Sequence, residues 1–381
     1  MKYKLIKYIG YYDAIENFKE KRNSCLAATN KMDYICKVLN KNGYKVLIVS
    51  PSRTTTKNFY KGKIIKISNY IELKLFPTFP WGNKIQKAFS LLVGDFMLFW
   101  YLITKIKRSE TILVYHSLGL RSIIRIAKRL KGFKVILEVE EIYQDVVSCS
   151  KRIKKNEYKT FAIADKYIFS TELLNEKINI ANKPYTIIYG TYQVEEDRKV
   201  RFNDDKIHVV YAGTFDPRKG GAIAAAAAAE YLPKNYHVHI IGFGSKEEVE
   251  NIQKVVEEIN KKTEATVTYD GLLKGEEYIQ FLQKCDIGLS TQIPDAAYNE
   301  TSFPSKILSY MANGLRVVTV RIKAIELSAI GNKVYYYDEQ TPKAIAEAIM
   351  SIDLNEPYNS RQLIKKLDEE FTKDINKLLR C

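Results

Sequence analysis

The sequence predicts an α/β protein built from two domains with parallel sheets. Short apolar runs alternate with helix-like runs, which is the element order of parallel strands joined by crossover helices. The order of strand, glycine-bearing loop, helix and strand opens the chain and starts again near residue 207. At 381 residues the chain also exceeds the size of one comfortable core. We therefore expect two domains of ordinary size.

The first half has the pattern of a parallel sheet with ligands at one edge. Strand-like runs lie at residues 3–9, 45–49, 64–75, 112–115, 133–139, 166–170 and 185–189, and helix-like runs at 26–39, 88–104 and 120–130. Gly10 and His116 directly follow two of these strands, so both are expected at the carboxyl edge, where α/β proteins bind ligands. A charged linker at 195–205 ends this domain, which we place at 1–195.

The most apolar stretch of the chain is residues 88–104, AFSLLVGDFMLFWYLIT. It is slightly short for a membrane span and carries Asp95 and Gly94 near its middle, which argues against a transmembrane helix. Two interpretations stay open. The stretch is either a helix buried against the sheet, which we favour, or an exposed apolar face that dips into a lipid interface between basic flanks.

The net charge of +16 is unevenly distributed. Residues 1–200 contain 37 Lys and Arg against 18 Asp and Glu, whereas residues 201–381 contain 23 against 26. A basic half joined to a near-neutral half suggests that the first half faces an anionic surface, such as a membrane or a phosphate-bearing lipid. Nucleic acid is a third anionic partner, but the chain lacks the glycine-aromatic motifs of RNA-binding modules, so we expect none.

Cysteines and histidines give no sign of a metal or disulfide framework. The five cysteines are scattered and form no CxxC pair, which is typical of reduced thiols. His237 and His239 alternate along one predicted strand and share a face, but no third ligand is evident near them. The N-terminal residues lack the apolar core of a signal peptide. We expect a cytoplasmic protein with no metal and no cofactor.

The second half repeats the alternation of strands and helices. Strand-like runs lie at 207–211, 237–241, 266–269, 287–290, 317–320 and 334–337, and helix-like runs at 222–231, 246–260 and 276–284. A final amphipathic run at 359–379 follows the break at Glu356-Pro357. We place the second domain at 205–355 and a terminal helical segment at 356–381.

Three segments of the second half have phosphate-binding chemistry. They are the basic glycine loop at 213–221 (GTFDPRKGG), the turn Gly242-Phe243-Gly244, and the loop-to-helix stretch at 299–315 (NETSFPSKILSYMANGL). In the last, Pro304 suits a first helical turn, Ser302 or Ser305 is expected to cap it, and Lys306 adds a charge beside the amide groups. At the carboxyl ends of neighbouring strands, these segments predict a site for a nucleotide diphosphate. Walker A and dinucleotide fingerprints are absent.

The same residues carry a resemblance to a known family. GTFDPRKGG, IIGFGS, the Asp270-Gly271 turn before CDIGLS, and FPSKILSYMANGLRVVT resemble the donor half of GT-B glycosyltransferases of the large retaining group called family 4. The resemblance covers 207–350. It implies two Rossmann-like domains that face each other across a cleft, with the nucleotide sugar on the C-terminal domain, the acceptor on the N-terminal one, and a last helix that crosses back.

The resemblance also implies roles for individual residues. Lys219 would contact the donor diphosphate, and Arg218 would replace the arginine that often follows the first glycine, where this chain has Thr214. The family usually carries a Glu, seven residues and a second Glu for the ribose. Here those positions are Thr301, with Glu300 beside it, and Ser309. The candidate catalytic residues are Lys219, Arg218, His116 and Glu300. The candidate substrate-binding residues are Gly10, Gly213, Thr214, Gly220, Gly242, Phe243, Gly244, Gly271, Leu272, Ser302, Phe303, Pro304, Ser305, Lys306 and Ser309.

The hypothesis from the sequence is a metal-independent, retaining glycosyltransferase. Its donor would be a nucleotide diphosphate sugar, UDP favoured and GDP possible, and its acceptor a lipid-linked saccharide or polysaccharide in surface polysaccharide or lipopolysaccharide assembly. The basic first half would hold the enzyme at the inner face of the cell membrane as a peripheral protein. The alternative is a non-catalytic GT-B subunit that binds or scaffolds.

Overall fold

The structure is a computed structural model that describes residues 3–146, 150–217 and 220–380. The chain divides into two compact units, one formed by Met1–Ile188 with Glu370–Cys381 and the other by Tyr189–Glu369. Each unit contains one predominantly parallel sheet with helices, which confirms the predicted α/β class. The last helix begins in the second unit and ends in the first.

The first unit is built on an eight-stranded sheet. Its strands are β1 (Lys4–Ile9), β2 (Tyr44–Ser50), β3 (Lys63–Lys66), β4 (Ile71–Leu75), β5 (Thr111–Tyr115), β6 (Lys134–Val139), β7 (Lys166–Phe169) and β8 (Tyr185–Ile187). Their order in the sheet is β3-β4-β2-β1-β5-β6-β7-β8, and all neighbours are parallel except the β3/β4 pair. The run predicted as one strand region at 64–75 is therefore an antiparallel edge hairpin.

Helices flank this sheet. They are α1 (Leu26–Lys41), α2 (Lys84–Lys105), α3 (Arg121–Lys131), α4 (Tyr143–Val146), α5 (Lys151–Ala162) and α6 (Glu172–Ile178), with a 3₁₀ turn at Ile15–Glu20. The sequence pattern missed α5 and α6, because their apolar residues are too few to produce a clear helical period. Leu98 and Leu102 of α2 belong to the main core of the unit, together with residues of β5 and β6.

The expectation that α2 is a buried helix is wrong. Five of its residues are buried (Ser90, Gly94, Leu98, Tyr101 and Leu102), and the opposite face is open. Asp95 pairs with Arg53 at the helix centre, and Gly94 leaves room for that guanidinium. Among the described residues, α2 is long and apolar enough to cross a membrane by length and composition, with 28% of its most apolar window buried.

The second unit is built on a six-stranded parallel sheet. Its strands are β9 (Ile207–Thr214), β10 (Tyr236–Phe243), β11 (Thr266–Gly271), β12 (Ile287–Ser290), β13 (Arg316–Val320) and β14 (Tyr335–Tyr337), in the order β11-β10-β9-β12-β13-β14. The chain winds outward from β9 in one direction and then returns to add β12 on its other side. The topological switch point of the sheet thus lies between β9 and β12, and its carboxyl edge is where ligands of such sheets bind.

The described part of this unit has seven helices, four of which begin within one residue of a helix-like run predicted from the sequence. They are α7 (Gly221–Ala227), α8 (Lys246–Asn260), α9 (Gly275–Lys284), α10 (Lys306–Ala312), α11 (Lys323–Glu326), α12 (Pro342–Met350) and the shared α13 (Ser360–Arg380), with 3₁₀ turns at Ala228–Tyr231, Ala297–Glu300 and Gly331–Lys333. A capping box between Ser245 and Glu248 fixes the start of α8 directly after the second glycine turn.

One tyrosine holds the switch point open. β9 and β12 pair only at Ile287 with Val209 and at Gly288 with Val210. Beyond that point the buried Tyr310 hydroxyl accepts from the Ala212 amide (2.8 Å) and donates to the Leu289 carbonyl (3.2 Å). A Cβ on Gly288 would lie 2.4 Å from the Tyr310 ring, so only glycine fits beneath it. The two strands consequently separate toward their carboxyl ends.

Candidate functional site

The candidate site is the carboxyl edge of the second sheet around the switch point. Gly213 near the end of β9 lies against Gly242 on β10, where a Cβ on Gly242 would fall 1.8 Å from the Gly213 carbonyl oxygen. Gly242 also has a φ of +146°, which L side chains rarely adopt. A Cβ on Gly213 would in turn lie 3.0 Å from Nζ of Lys306. The structure therefore brings the three phosphate-type segments together through Gly213, Gly242 and Lys306.

Lys306 lies at this edge beside the end of β9. Its Nζ stands 4.1 Å from the centroid of the Tyr211 ring, a cation–π contact that keeps the ammonium over β9. The Tyr211 hydroxyl donates to the Thr214 carbonyl (3.1 Å), which ties the ring to the start of the glycine loop. The Lys306 ammonium thereby lies close to the backbone of Gly213, where no side chain of Gly213 separates them.

The glycine loop bridges the switch point. Gly220 has a φ of +61° and forms the N-cap of α7. Behind it, the Thr291 hydroxyl just after β12 donates to the Gly221 carbonyl (2.7 Å). A Cβ on Gly221 would lie 2.5 Å from the Thr291 carbonyl oxygen, so this approach requires glycine. Arg218 and Lys219, the two cations predicted to hold the diphosphate, lie outside the described residues.

The start of α10 differs from the predicted cap. Ser305 is the N-cap residue, but its side chain makes no capping hydrogen bond. The Ser302 hydroxyl instead donates to the Tyr298 carbonyl, so neither predicted serine caps the helix. Pro304 precedes the cap and accepts from the Ile307 amide (3.1 Å) in a tight turn. Because α10 has only seven residues, the charge of Lys306 outweighs the helix dipole here.

The two positions that the family uses for acidic residues are differently placed. Ser309 lies one turn after Lys306 on α10, and its hydroxyl is 3.4 Å from the hydroxyl of Tyr278 on α9. Burial raises the pKa of Tyr278, so this phenol stays neutral and able to donate. Thr301 is buried and Glu300 is exposed. Tyr278 is a polar group beside the site that the sequence reasoning missed, because no spacing links α9 to α10.

The remaining candidates of this unit line the neighbouring strand ends. Phe243 is half exposed at the end of β10, and Gly244 packs against Glu248 and Phe215. Gly271, with a φ of +83°, ends β11, and Leu272 after it is exposed. Phe303 is buried and packs on Tyr189 with ring centroids 5.1 Å apart. Phe243 and Leu272 are therefore the apolar groups that β10 and β11 offer to solvent at this edge.

In the first unit, both candidates are deeply packed. Gly10 is buried, and a Cβ there would lie 2.8 Å from the Met32 sulfur, so this glycine permits close packing of α1 on β1. His116 is 2% exposed, between the rings of Tyr143 and Phe161, with Nε2 3.5 Å from a carboxylate oxygen of Glu157. Burial lowers the pKa of His116 to about 3, so the ring is neutral. Its predicted catalytic role would require the ring to become accessible.

The first unit also contains a network of buried carboxyl groups around the end of β6. Glu138 on β6 is fully buried and is hydrogen bonded by the Tyr8 hydroxyl of β1. Burial, and then the charge of Glu140, raise the pKa of Glu138 to about 8. Lys31 on α1 lies 3.2 Å from Glu140 and donates to the Ile188 carbonyl (2.8 Å). A carboxylic acid and a lysine–glutamate pair thus sit inside the first unit.

The expectation that no third ligand accompanies His237 and His239 is wrong. His208 on β9 pairs in register with His237 on β10, and one nitrogen from each of the three rings lies within 4.8 Å of the other two. The sequence signal was available, because His208 opens the strand that neighbours β10 in any sheet of this order. Burial lowers the pKa of His208, and lowers that of His237 to about 4.

Comparison with known proteins bears on this geometry. Residues 206–353 match the family model described as Glycosyl transferases group 1. These residues form a glycosyl transferases group 1 domain. The match contains all the described segments of the candidate site at the carboxyl edge of the second sheet, from Gly213 to Ser309. This supports the resemblance drawn from the sequence.

Solved structures of similar fold cover nearly the whole chain. Sucrose-phosphate synthase from Thermosynechococcus elongatus aligns over 99% of this chain and 98% of its own, with a TM-score of 0.70 and 14% identity. A structure described as trehalose-6-phosphate from E. coli bound with UDP-2-fluoro glucose has a TM-score of 0.65 and 13% identity. It aligns over 98% of this chain and 99% of its own. Anabaena HepE in complex with UDP and glucose has a TM-score of 0.63 and 12% identity, and it aligns over 99% of this chain and 100% of its own.

These likenesses establish the fold. The two parallel-sheet units have the GT-B fold, and the match of residues 206–353 to the group 1 model is consistent with a GT-B glycosyltransferase. No curated protein matches the chain in a sequence search.

Proposed function

We propose that the protein is a metal-independent, retaining glycosyltransferase that uses a nucleotide diphosphate sugar. The anomeric C–O bond to the diphosphate breaks, a new bond forms to an acceptor hydroxyl on the same face, and the hydroxyl proton passes to the leaving phosphate. The acceptor is a lipid-linked saccharide or growing polysaccharide at the cytoplasmic face of the membrane.

One observation carries the donor half of this proposal. Lys306 is directed at the bare backbone of Gly213, where the switch point of a group 1 domain opens. A diphosphate there would meet an ammonium and glycine backbone. Charge that develops on the leaving group is stabilised by such fixed donors, which is the main requirement of this chemistry.

UDP is the favoured nucleotide. Two neighbours of the same fold are described with UDP-2-fluoro glucose and with UDP and glucose, which supports a uridine donor here. The exposed Phe243 and Leu272 offer apolar surface for the base. The chain contains no DxD pair of the kind that bridges a metal to a diphosphate, which supports transfer by Lys306 and the loop cations Arg218 and Lys219 without a metal.

The surface of α2 supports a membrane-bound acceptor. Its open face carries an apolar stripe spaced by three or four residues. The stripe consists of Ile85 (81% exposed), Phe89 (51%), Leu92 (71%), Phe96 (62%) and Trp100 (59%). Lys84, Lys87 and Lys105 lie at the two ends of the helix, and the whole first half is strongly basic. An apolar stripe between basic ends fits an anionic lipid interface.

Nucleotide release tests the donor half. The purified chain, with EDTA present, is offered UDP- and GDP-sugars with a lipid-linked saccharide extract, and free nucleotide is measured. UDP release that depends on the extract and persists in EDTA supports the proposal. No release together with no calorimetric binding of UDP or GDP would instead favour the non-catalytic scaffold.

Vesicle binding tests the membrane half. The chain is expected to sediment with vesicles of anionic phosphatidylglycerol and not with neutral phosphatidylcholine. Leu92→Glu, in the middle of the stripe, should abolish this binding. Ile180→Glu is the control, because Ile180 is 89% exposed in the same unit but outside the stripe. An equal loss of vesicle binding in both variants, or binding that is the same for anionic and neutral vesicles, would contradict the proposed surface.

A further inference from the structure

The second unit contains a histidine cluster away from the candidate donor site. Three of the four histidines in the chain, His208, His237 and His239, project from one face of β9 and β10. His208 and Gly213 are five residues apart on β9, which places them about 16 Å apart along the strand. The cluster is therefore distinct from the crevice.

Carboxylates hold the outer nitrogens of two of these rings. Asp204 lies 2.7 Å from Nε2 of His208, and Asp270 lies 3.0 Å from Nδ1 of His239. A ring N–H directed at each carboxylate leaves the lone pair on the opposite nitrogen. Those opposite nitrogens, Nδ1 of His208 and Nε2 of His239, are hydrogen bonded to each other at 2.9 Å, with the donor set by the tautomers of the two rings.

The third ring is oriented in the same way through a hydroxyl. Thr268 donates to Asp270 (2.8 Å), so its oxygen is available to accept from Nε2 of His237 at 3.0 Å. That leaves Nδ1 of His237 with its lone pair. The His237 ring stacks on His239 with centroids 3.9 Å apart, so it must rotate slightly to share a ligand with it.

We propose that His208, His237 and His239 form a site for a divalent metal of the Zn²⁺ type. Without a metal, one of the two facing nitrogens donates a hydrogen bond to the other, and a cation that takes both lone pairs would replace that hydrogen bond. Three imidazoles whose other nitrogens bind carboxylates or hydroxyls are the usual ligand set and outer shell of protein zinc. Imidazole ligands favour Zn²⁺, Cu²⁺ or Ni²⁺ over Mg²⁺ or Ca²⁺.

The surroundings give the site a structural role. His208 and His239 are 3% and 2% exposed under Phe202 and Phe281, whereas His237 is half-buried. A metal would join β9 to β10 and, through Asp270, the end of β11 next to Gly271 and Leu272. It would stabilise that strand end without contact with the diphosphate crevice, so the site is compatible with metal-independent transfer.

Calorimetry on untagged full-length chain, stripped with chelator and dialysed, tests the site. Zn²⁺ is expected to bind at one equivalent and raise the thermal midpoint, and Co²⁺ to give the visible spectrum of nitrogen ligation without thiolate bands. His208→Gln and His239→Gln should each weaken Zn²⁺ binding by at least about 10-fold, and Asp270→Asn by about 10-fold or more. Cys25→Ser removes an exposed thiol and should leave binding unchanged.

Several results would contradict the metal site. Absence of one-equivalent binding, or equal affinity in the His208→Gln variant, would overturn the site, as would thiolate bands that vanish in Cys25→Ser. If the buried variants do not fold, His237→Asn at the half-buried position takes their place, and undiminished binding there would count against the proposal. Imidazole ¹⁵N NMR signals of the three histidines that do not shift when Zn²⁺ is added would also overturn the proposed site.

Discussion

The two units share a parallel-sheet architecture, yet their sequences encode function in different ways. In the second unit, glycines and cations at strand ends have recognisable spacing, and the family match falls there. In the first unit, strand ends carry buried groups such as His116 and Glu138, while the distinctive surface is the apolar face of α2. The proposed anion site would require fixed backbone, whereas an exposed apolar helix face requires only composition and periodicity.

The largest expected effect is on the anion-binding edge of the second unit. Lys306→Met retains most of the aliphatic stem over Tyr211 but removes the ammonium beside Gly213. Since the proposed diphosphate loses a charged donor, kcat for nucleotide release should fall by about 10²-fold or more. The assay is UDP release under saturating donor.

A matched lysine controls for general loss of charge. Lys246 at the start of α8 has a 92% exposed side chain, and Lys246→Met should keep wild-type turnover. Equal rates for Lys306→Met and wild type would remove Lys306 from the donor site.

Glycine substitutions separate a steric requirement from a conformational one. Gly242→Ala places a methyl group 1.8 Å from the Gly213 carbonyl, so β9 and β10 must separate at the site. Gly271 also has positive φ, at +83°, but open space around its Cβ, so Gly271→Ala should cost only the strain of about 1 kcal/mol. Denaturant unfolding should show a clearly larger loss for Gly242→Ala, and similar losses would mean that the close approach is not required.

Much of this fold follows from the sequence, because period-2 and period-3.6 patterns were clear for most strands and for long helices such as α8. The convergence of Gly213, Gly242 and Lys306 followed from the rule that parallel strands present their carboxyl ends on one edge. Tyr310 at the switch point, Tyr278 beside Ser309 and the third histidine were not found, since each depends on which strands or helices are neighbours. The exposure of α2 was not the favoured prediction, because hydrophobicity alone does not distinguish a helix buried on all sides from one with an exposed apolar face.

A buried acid in the first unit should make stability depend on pH. The folded pKa of Glu138 is about 8, above the ordinary 4.5, so the folded state holds a proton that the unfolded state releases. That contribution is complete below about pH 4.5 and is lost as pH rises to about 8, by up to about 1.4 kcal/mol per pH unit. Glu138→Gln should lack this pH dependence, so the difference in unfolding free energy between wild type and variant should change between pH 5 and 8. A difference that does not vary between pH 5 and 8 would show that Glu138 is ionised in the fold.

The smallest expected effect on stability is at the surface of α2. Leu92→Glu changes a 71% exposed side chain and should shift the free energy of unfolding by less than about 0.5 kcal/mol. Leu102 on the same helix is fully buried, and Leu102→Ala should cost about 2–5 kcal/mol. Urea unfolding of both variants distinguishes a lipid-facing stripe from a core face. A large loss for Leu92→Glu would mean that the stripe is covered by protein, and the first unit would then lack the surface proposed for the membrane.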